Sequence, residues 1–354
     1  MSEVVVFIPG FFGFGAFGHP DRPLIEYFAH VEDAVLRALP RPMRFAVHQP
    51  PPAGSLQERV KSLHDKTQKL LQDGATTLHL VGHSTGGVDA RLLANDRYAG
   101  LPARAEMLAR IASITTISAP FHGTPLARRA GRGTFLAVPI LWFCSILASR
   151  GRLRLAGQLG NIGNFLKRLT LQQPTPTDAL IAQLADVDAT TAHEIQKFLA
   201  EVTSDHRLVD DLTPESMALV NATLDGGDKV PLRSFVSSAP PAGLSPLAFG
   251  TAPFHRLLYD MTWALTASPP RSGESLPDGP WIGSSSTAIG PRTNDGIVPA
   301  WSQTLTGKAE GIVLGDHLDV VGHFESAGAT FLRSGAGFDE ERFRALWARV
   351  AEGL

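Results

Sequence analysis

The stretch Thr77-Leu78-His79-Leu80-Val81-Gly82-His83-Ser84-Thr85-Gly86-Gly87 decides how this chain is read. Its first half is a short β-branched and leucine-rich run, the pattern of a buried strand, and Val88 to Leu93 continues it as a helix. Between the two lies the only G-x-S-x-G of the sequence. Directly after a strand and directly before a helix, that motif forms a sharp turn with the serine hydroxyl lifted above the sheet. The bland reading is a glycine-rich turn in which Ser84 merely caps the helix.

Outward from this turn the pattern repeats. Val4-Val5-Val6-Phe7-Ile8 reads as a strand, followed by a Gly/Phe-rich loop from Gly10 to Gly18 and a helix around Ile25 to Ala38. Arg44-Phe45-Ala46-Val47 is a second strand and Ser55 to Gln72 a helix with Gly74 at its end. Ile111 to Ser118 is another strand. Strands alternating with helices imply a parallel sheet covered on both faces, an α/β architecture. Residues 126 to 230 carry no strand pattern and are expected to be a helical insertion. Strand character returns at Val230 to Val236 and at Gly311 to Leu314, with helices expected at Phe254 to Thr266 and Asp339 to Ala351. The expected organisation is therefore a core of 1–125 and 231–354 with a helical cap or lid at 126–230.

Composition narrows the function. Hydrophobic residues make up 44% and charged residues 19%, so the chain folds as a globule. Lys and Arg number 32 against 34 Asp and Glu, which lacks the basic footprint of a nucleic-acid binder. A single cysteine, Cys144, excludes an internal disulfide. No basic, apolar leader precedes the first strand, so a cytoplasmic location is expected unless a signal has been trimmed. The longest apolar stretch, Phe135 to Ala148, is too short to span a bilayer.

A serine hydroxyl needs a base, and the base an orienting acid. On a strand–turn–helix of this kind the chain order is Ser, then Asp or Glu, then His. Asn294-Asp295-Gly296 and Asp316-His317-Leu318-Asp319 flank the last strand and supply Asp295 and His317. Asp260 and Asp278 rival the first, and His323 rivals the second. The oxyanion donors are expected at the main chain of Thr85 and of Phe11, in the loop Pro9-Gly10-Phe11-Phe12-Gly13. Phe12, Phe14 and His83 are candidate substrate-binding residues, although the position of His83 beside Ser84 also suits a structural role. There is no His-Glu-x-x-His helix and no Cys pair, so metal-hydrolase chemistry is not indicated.

Together, Phe7-Ile8-Pro9-Gly10-Phe11, Val81 to Gly87, Ser118-Ala119-Pro120-Phe121-His122-Gly123-Thr124-Pro125, Asn294-Asp295-Gly296 and His317-Leu318-Asp319 resemble the α/β-hydrolase superfamily, within it the bacterial triacylglycerol lipases and carboxylesterases. The resemblance implies ester hydrolysis through an acyl-serine on Ser84. His317 would be base then acid, and Asp295 its orienter. Pro9 stands where such lipases carry a His. Several relatives bind a structural calcium through an Asp two residues after the catalytic His. Asp319 matches that position, but the next expected ligand is His323, a poor donor for a hard cation. No cofactor is therefore expected to be required, with a structural calcium as the alternative.

Phe135 to Phe143 is apolar all round, which suits either a packed cap segment or a lid that meets acyl chains or a lipid interface. The expected substrate is a small-molecule or lipid ester of medium or longer acyl chain. An acyltransferase or thioesterase with the same three residues, or a non-catalytic scaffold, are the alternatives.

Overall fold

The computed structural model describes residues 2–19, 22–99, 101–102, 104–129, 187–241, 252–324, 332 and 334–354. Along the chain these form β1 (Ser2–Ile8), β2 (Ala16–His19), β3 (Arg22–Glu26), α1 (Val31–Ala38), β4 (Arg44–Val47), α2 (Leu56–Gln72), β5 (Ala75–His83), α3 (Thr85–Ala94), α4 (Arg104–Leu108) and β6 (Ile111–Ile117). There follow α5 (Pro125–Arg129), α6 (Ala189–Ser204), α7 (Arg207–Asp211), α8 (Pro214–Leu224), β7 (Leu232–Ser238), α9 (Ala252–Thr266), β8 (Trp281–Ile282), β9 (Gly311–Leu314) and α10 (Glu340–Ala351). The apolar stretch Phe135 to Ala148, with the expected cap or lid segment Phe135 to Phe143, lies outside the described residues. Between β6 and β7 the described residues form helices.

Seven strands make one sheet in the order β4-β1-β5-β6-β7-β9-β8, and every neighbouring pair is parallel. Parallel strands need both faces covered, which is why Val4 to Ile8 are all buried rather than alternating. Helix α1 packs on α10 and α2 on α3. Phe7 joins the strand layer to the helices, with Phe28 at 5.3 Å and Trp347 edge-on at 6.1 Å. Ser55 caps α2 in a capping box with Glu58, which fixes where that helix starts. Among the described residues no helix is long and apolar enough to cross a membrane.

Strand order places the site. From β1 the chain steps outward to β4, then returns across β1 to β5 and proceeds the other way. The loops leaving β1 and β5 therefore diverge at a topological switch point, where open α/β sheets hold their ligands. These are the Gly/Phe loop and the Ser84 turn.

Two local expectations need correction. The stretch from Ile25 does not enter a helix: Arg22–Glu26 pairs antiparallel with Ala16–His19, and helix begins only at Val31. The apolar spacing Ile25-Phe28 fits either period, and the hairpin wins because Phe17 pairs with Ile25 across it. The strand expected at Val230 to Val236 runs two residues later, since its ladder to β6 starts at Leu232 and its ladder to β9 extends to Ser238. The short edge strand β8 carries no sequence signal of its own.

Candidate active site

Ser84 sits at φ 55°, ψ −132°, between the last residue of β5 and the first of α3. Only a turn forced by its flanks holds a non-glycine residue there, at a cost of about 1–3 kcal/mol. The flanking glycines supply the force by letting backbones meet. A Cβ on Gly82 would lie 2.4 Å from Gly86 O, and one on Gly86 would lie 2.0 Å from Ile8 O. Strand β1, the turn and α3 are thus interlocked, and Ser84 is a strained elbow rather than a simple cap. No side-chain capping bond is made by it.

The Gly/Phe loop lies against the serine. A Cβ on Gly10 would come within 2.5 Å of Ser84 Cβ and 2.9 Å of Ser84 Oγ. Gly10 N–H donates to Tyr27 Oη at 2.9 Å, and Phe12 N–H donates to Pro52 O at 3.0 Å. These bonds pin the main chain on either side of Phe11. Arg59 pins the preceding residue: its guanidinium donates to Pro9 O (2.8 Å), Pro51 O (3.1 Å) and the carboxylate of Asp89 (2.7 Å). Both members of that ion pair are fully buried. Burial outweighs the guanidinium at Asp89 and leaves its carboxyl above the usual range. Thr85, at the first position of α3, belongs to the turn whose N–H groups find no partner within the helix.

Asp295 and His317 meet on the far side. Asp295 Oδ2 accepts from His317 Nδ1 at 2.7 Å and from Ser237 Oγ at 2.7 Å, while Oδ1 accepts from the N–H groups of Ile297 (2.9 Å) and Val298 (2.7 Å). Because a carboxylate only accepts, His317 carries its proton on Nδ1, and Nε2 is left as the basic nitrogen. Their main chains are joined as well, His317 N–H donating to Asp295 O at 3.0 Å. The His317 ring lies 4.7 Å, centroid to centroid, from that of His83, the residue before Ser84. Ser84, Asp295 and His317 are 6%, 0% and 5% exposed, so any charge that develops here is poorly screened.

Their rivals lie elsewhere. Asp260 pairs with Arg256 on α9, Asp278 is exposed, and His323 Nε2 faces Tyr27 O at 3.0 Å. The segment Ser118 to Pro125 braces the acid loop: Thr124 Oγ1 donates to Ile297 O and Ser302 Oγ to Gly123 O.

Two residues beside the acid carried no short-range sequence signal. Ser237, at the carboxyl end of β7, has its one proton on Asp295, so Ser118 must donate to it at 2.6 Å. Gln303 holds the main chain of Ser237 through both of its amide atoms and also reaches Asp295 Oδ2 at 3.3 Å.

His83, Phe12 and Phe14, the residues expected to bind substrate, are all buried. His83 is fully buried, with Nδ1 against Tyr27 Oη (2.8 Å) and Nε2 against His317 O (2.9 Å), so it offers no group to a substrate. Phe12 and Phe14 are buried in an aromatic cluster where Phe198 of α6 meets both edge-on, at 5.1 and 5.7 Å. They dock α6 onto the loop. Of Phe11, Phe12 and Phe14, only Phe11 keeps partial exposure.

The calcium ligands suggested by the resemblance do not fit a hard cation. Asp319 Oδ2 accepts from Asp316 N–H at 2.8 Å, and His323 points a ring nitrogen at a carbonyl. Among the described residues no group of three or more His, Cys, Asp or Glu could hold a metal ion.

No protein-family profile matches the sequence, and no curated protein does. Solved structures do. EstA from Clostridium botulinum superposes with a TM-score of 0.55 at 15% identity, over 100% of this chain and 87% of that one. The Staphylococcus hyicus lipase gives 0.52 at 17% identity, over 99% and 94%. Likeness at that identity speaks for architecture. The parallel sheet with its switch point, the strained Ser84 elbow and these superpositions give this chain the α/β-hydrolase fold.

Proposed function

We propose that this protein hydrolyses carboxylic esters through an acyl-serine intermediate on Ser84. The observation that carries the reading is the buried Asp295–His317 pair standing beside the elbow that presents Ser84. A solved neighbour that is itself a lipase agrees with it.

In the proposed reaction His317 Nε2 takes the proton of Ser84 Oγ as the oxygen attacks the ester carbonyl. The carbonyl π pair moves onto oxygen, where the N–H groups of Phe11 and Thr85 receive the negative charge. Collapse expels the alkoxide, which leaves as alcohol with the proton from His317. Water repeats the sequence on the acyl-serine and releases the acid. Asp295 keeps His317 in the Nδ1–H tautomer and favours the imidazolium formed in each half. No step calls for a cofactor. The apolar sequence of Phe135 to Phe143 and the partly exposed Phe11 favour acyl chains of medium or longer length, with a lid that meets a lipid interface.

A fluorophosphonate probe should label the folded protein and fail on Ser84→Ala, and Ser84→Ala should lose turnover of p-nitrophenyl esters while keeping its melting temperature. A folded wild type that neither labels nor turns over any ester between acetate and palmitate would defeat the reading. Faster turnover of acetate than octanoate, with no rise at an emulsified interface, would defeat the chain-length and lid part alone.

A further inference from the structure

The hairpin β2–β3 ends at Tyr27, and that residue reaches both catalytic loops. Its hydroxyl accepts from Gly10 N–H and lies 2.8 Å from His83 Nδ1; its carbonyl lies 3.0 Å from His323 Nε2. On the other side of the His83 ring, Nε2 lies 2.9 Å from His317 O. A carbonyl only accepts, so His83 Nε2 carries the proton. Burial and the neighbouring His317 hold His83 well below the ordinary histidine range, so its ring is neutral and Nδ1 is an acceptor. The donor to Nδ1 is then the Tyr27 hydroxyl, which burial keeps protonated. Every proton in the chain is fixed by this sequence of single choices.

We propose that Tyr27 and His83 are positioning residues that hold the oxyanion loop and the His317 loop in register about Ser84, through Gly10 N–H to Tyr27 Oη–H to His83 Nδ1 and from His83 Nε2–H to His317 O. The proposal rests on the ester-hydrolase reading above and adds residues that touch no substrate. His83 precedes the nucleophile in the chain, so one imidazole references three elements to each other: the β1 loop, the β5 elbow and the loop after β9. The Tyr27 carbonyl's contact with His323 ties the same two loops a second time. An error in the relative placement of base and oxyanion donors is felt in the transition state more than in the bound ester.

Selective ¹⁵N-histidine NMR on the full wild-type chain tests the proton assignment without any variant. His83 should stay a neutral Nε2–H tautomer from about pH 5 to about pH 9. An Nδ1–H tautomer, or titration within that range, overturns the proposal. Tyr27→Phe should lower kcat for p-nitrophenyl butyrate by about ten- to a hundredfold with KM changed less than about twofold, and should mix the His83 tautomers. Adding His83→Gln to Tyr27→Phe should cost no more than the worse single change, because both break one chain. A Tyr27→Phe enzyme with unchanged kcat, a loss confined to KM, or additive losses each overturn it. Should Tyr27→Phe fail to fold, the wild-type tautomer decides. Absence of Ser84-dependent turnover in wild type removes the ester-hydrolase reading and this one together, whereas normal turnover with an indifferent Tyr27→Phe removes only this one.

Discussion

Asp295 Oδ2 stands 2.7 Å from His317 Nδ1, and the carboxylate that makes this contact is saturated by its surroundings. Two backbone N–H groups hold Oδ1, while a serine hydroxyl and a glutamine amide share Oδ2 with the imidazole. The acid cannot rotate without breaking several bonds in a buried site. Its oxygen is thus aimed at His317 by the turn Asn294-Asp295-Gly296, where Gly296 adopts φ 96° and Asn294 Oδ1 takes the Gly296 N–H. The orientation of the His317 ring is thus built into the fold.

Asp295→Asn should keep the fold and lower kcat on the order of 10³- to 10⁴-fold. An amide in place of Oδ2 presents either a donor to a donor or the wrong tautomer to Ser84. Steady-state kinetics with p-nitrophenyl butyrate, alongside circular dichroism, measure it. A variant within tenfold of wild type would remove Asp295 from the proposed role.

Ser237→Ala should cost less, about tenfold in kcat, because it removes one of several donors to the carboxylate and leaves the backbone pair in place. Ser118→Ala acts one bond further away and should cost less again. The same assay ranks the three. A Ser118→Ala loss larger than that of Ser237→Ala would contradict the direction of the chain read from the 2.6 Å and 2.7 Å contacts.

How much of this was legible in the sequence follows from the range of the interactions. The elbow at Gly82 to Gly87 is local: strand, glycines and helix are contiguous, and the strain at Ser84 is set by its own flanks. Asp295 and His317 follow from chain order once the elbow fixes the sheet, and the structure pairs these two with each other, while Asp260, Asp278 and His323 lie in other surroundings. Ser237, Gln303 and Tyr27 were not legible, because the contacts Ser237–Asp295, Gln303–Ser237 and Tyr27–His83 each span 56 or more positions through side chains with no distinctive spacing. Phe12 and Phe14 show the converse limit. Aromatic residues in a loop beside Ser84 read as pocket lining, yet both rings meet Phe198, far away on α6.

Arg59→Leu should destabilise the protein by about 3–5 kcal/mol in urea unfolding. The cost comes from what stays behind: a buried Asp89 carboxyl, plus the carbonyls of Pro9 and Pro51 stripped of a donor. Arg59→Lys should recover only part, since one ammonium cannot span three acceptors in the geometry of a planar fork. Asp89→Asn should be milder than Arg59→Leu, because it leaves the carbonyl contacts of Arg59 intact. Equal losses for the two would show that the ion pair, and not the anchoring of the Pro9 loop, dominates.

Asp316 lies next to His317; its Oδ1 accepts from the N–H groups of Leu318 and Asp319, and it is 1% exposed. Burial pushes its carboxyl up to about 7, with Asp295 adding to the rise, and burial with the neighbouring Asp316 pushes Asp319 up as well, against the opposing charge of Arg342. The folded state therefore holds a proton that the unfolded chain releases near 4. Between those values folding binds the extra proton, so this contribution to stability is full at acid pH, falls as pH rises from about 4 to about 7, and is flat above. Asp316→Asn cannot titrate and keeps an oxygen for the two N–H groups. Relative to wild type it should gain on the order of 2–3 kcal/mol between about pH 5 and about pH 8. Urea unfolding of both proteins across that range measures the difference, and parallel curves would show that Asp316 is ionised in the fold at every pH tested.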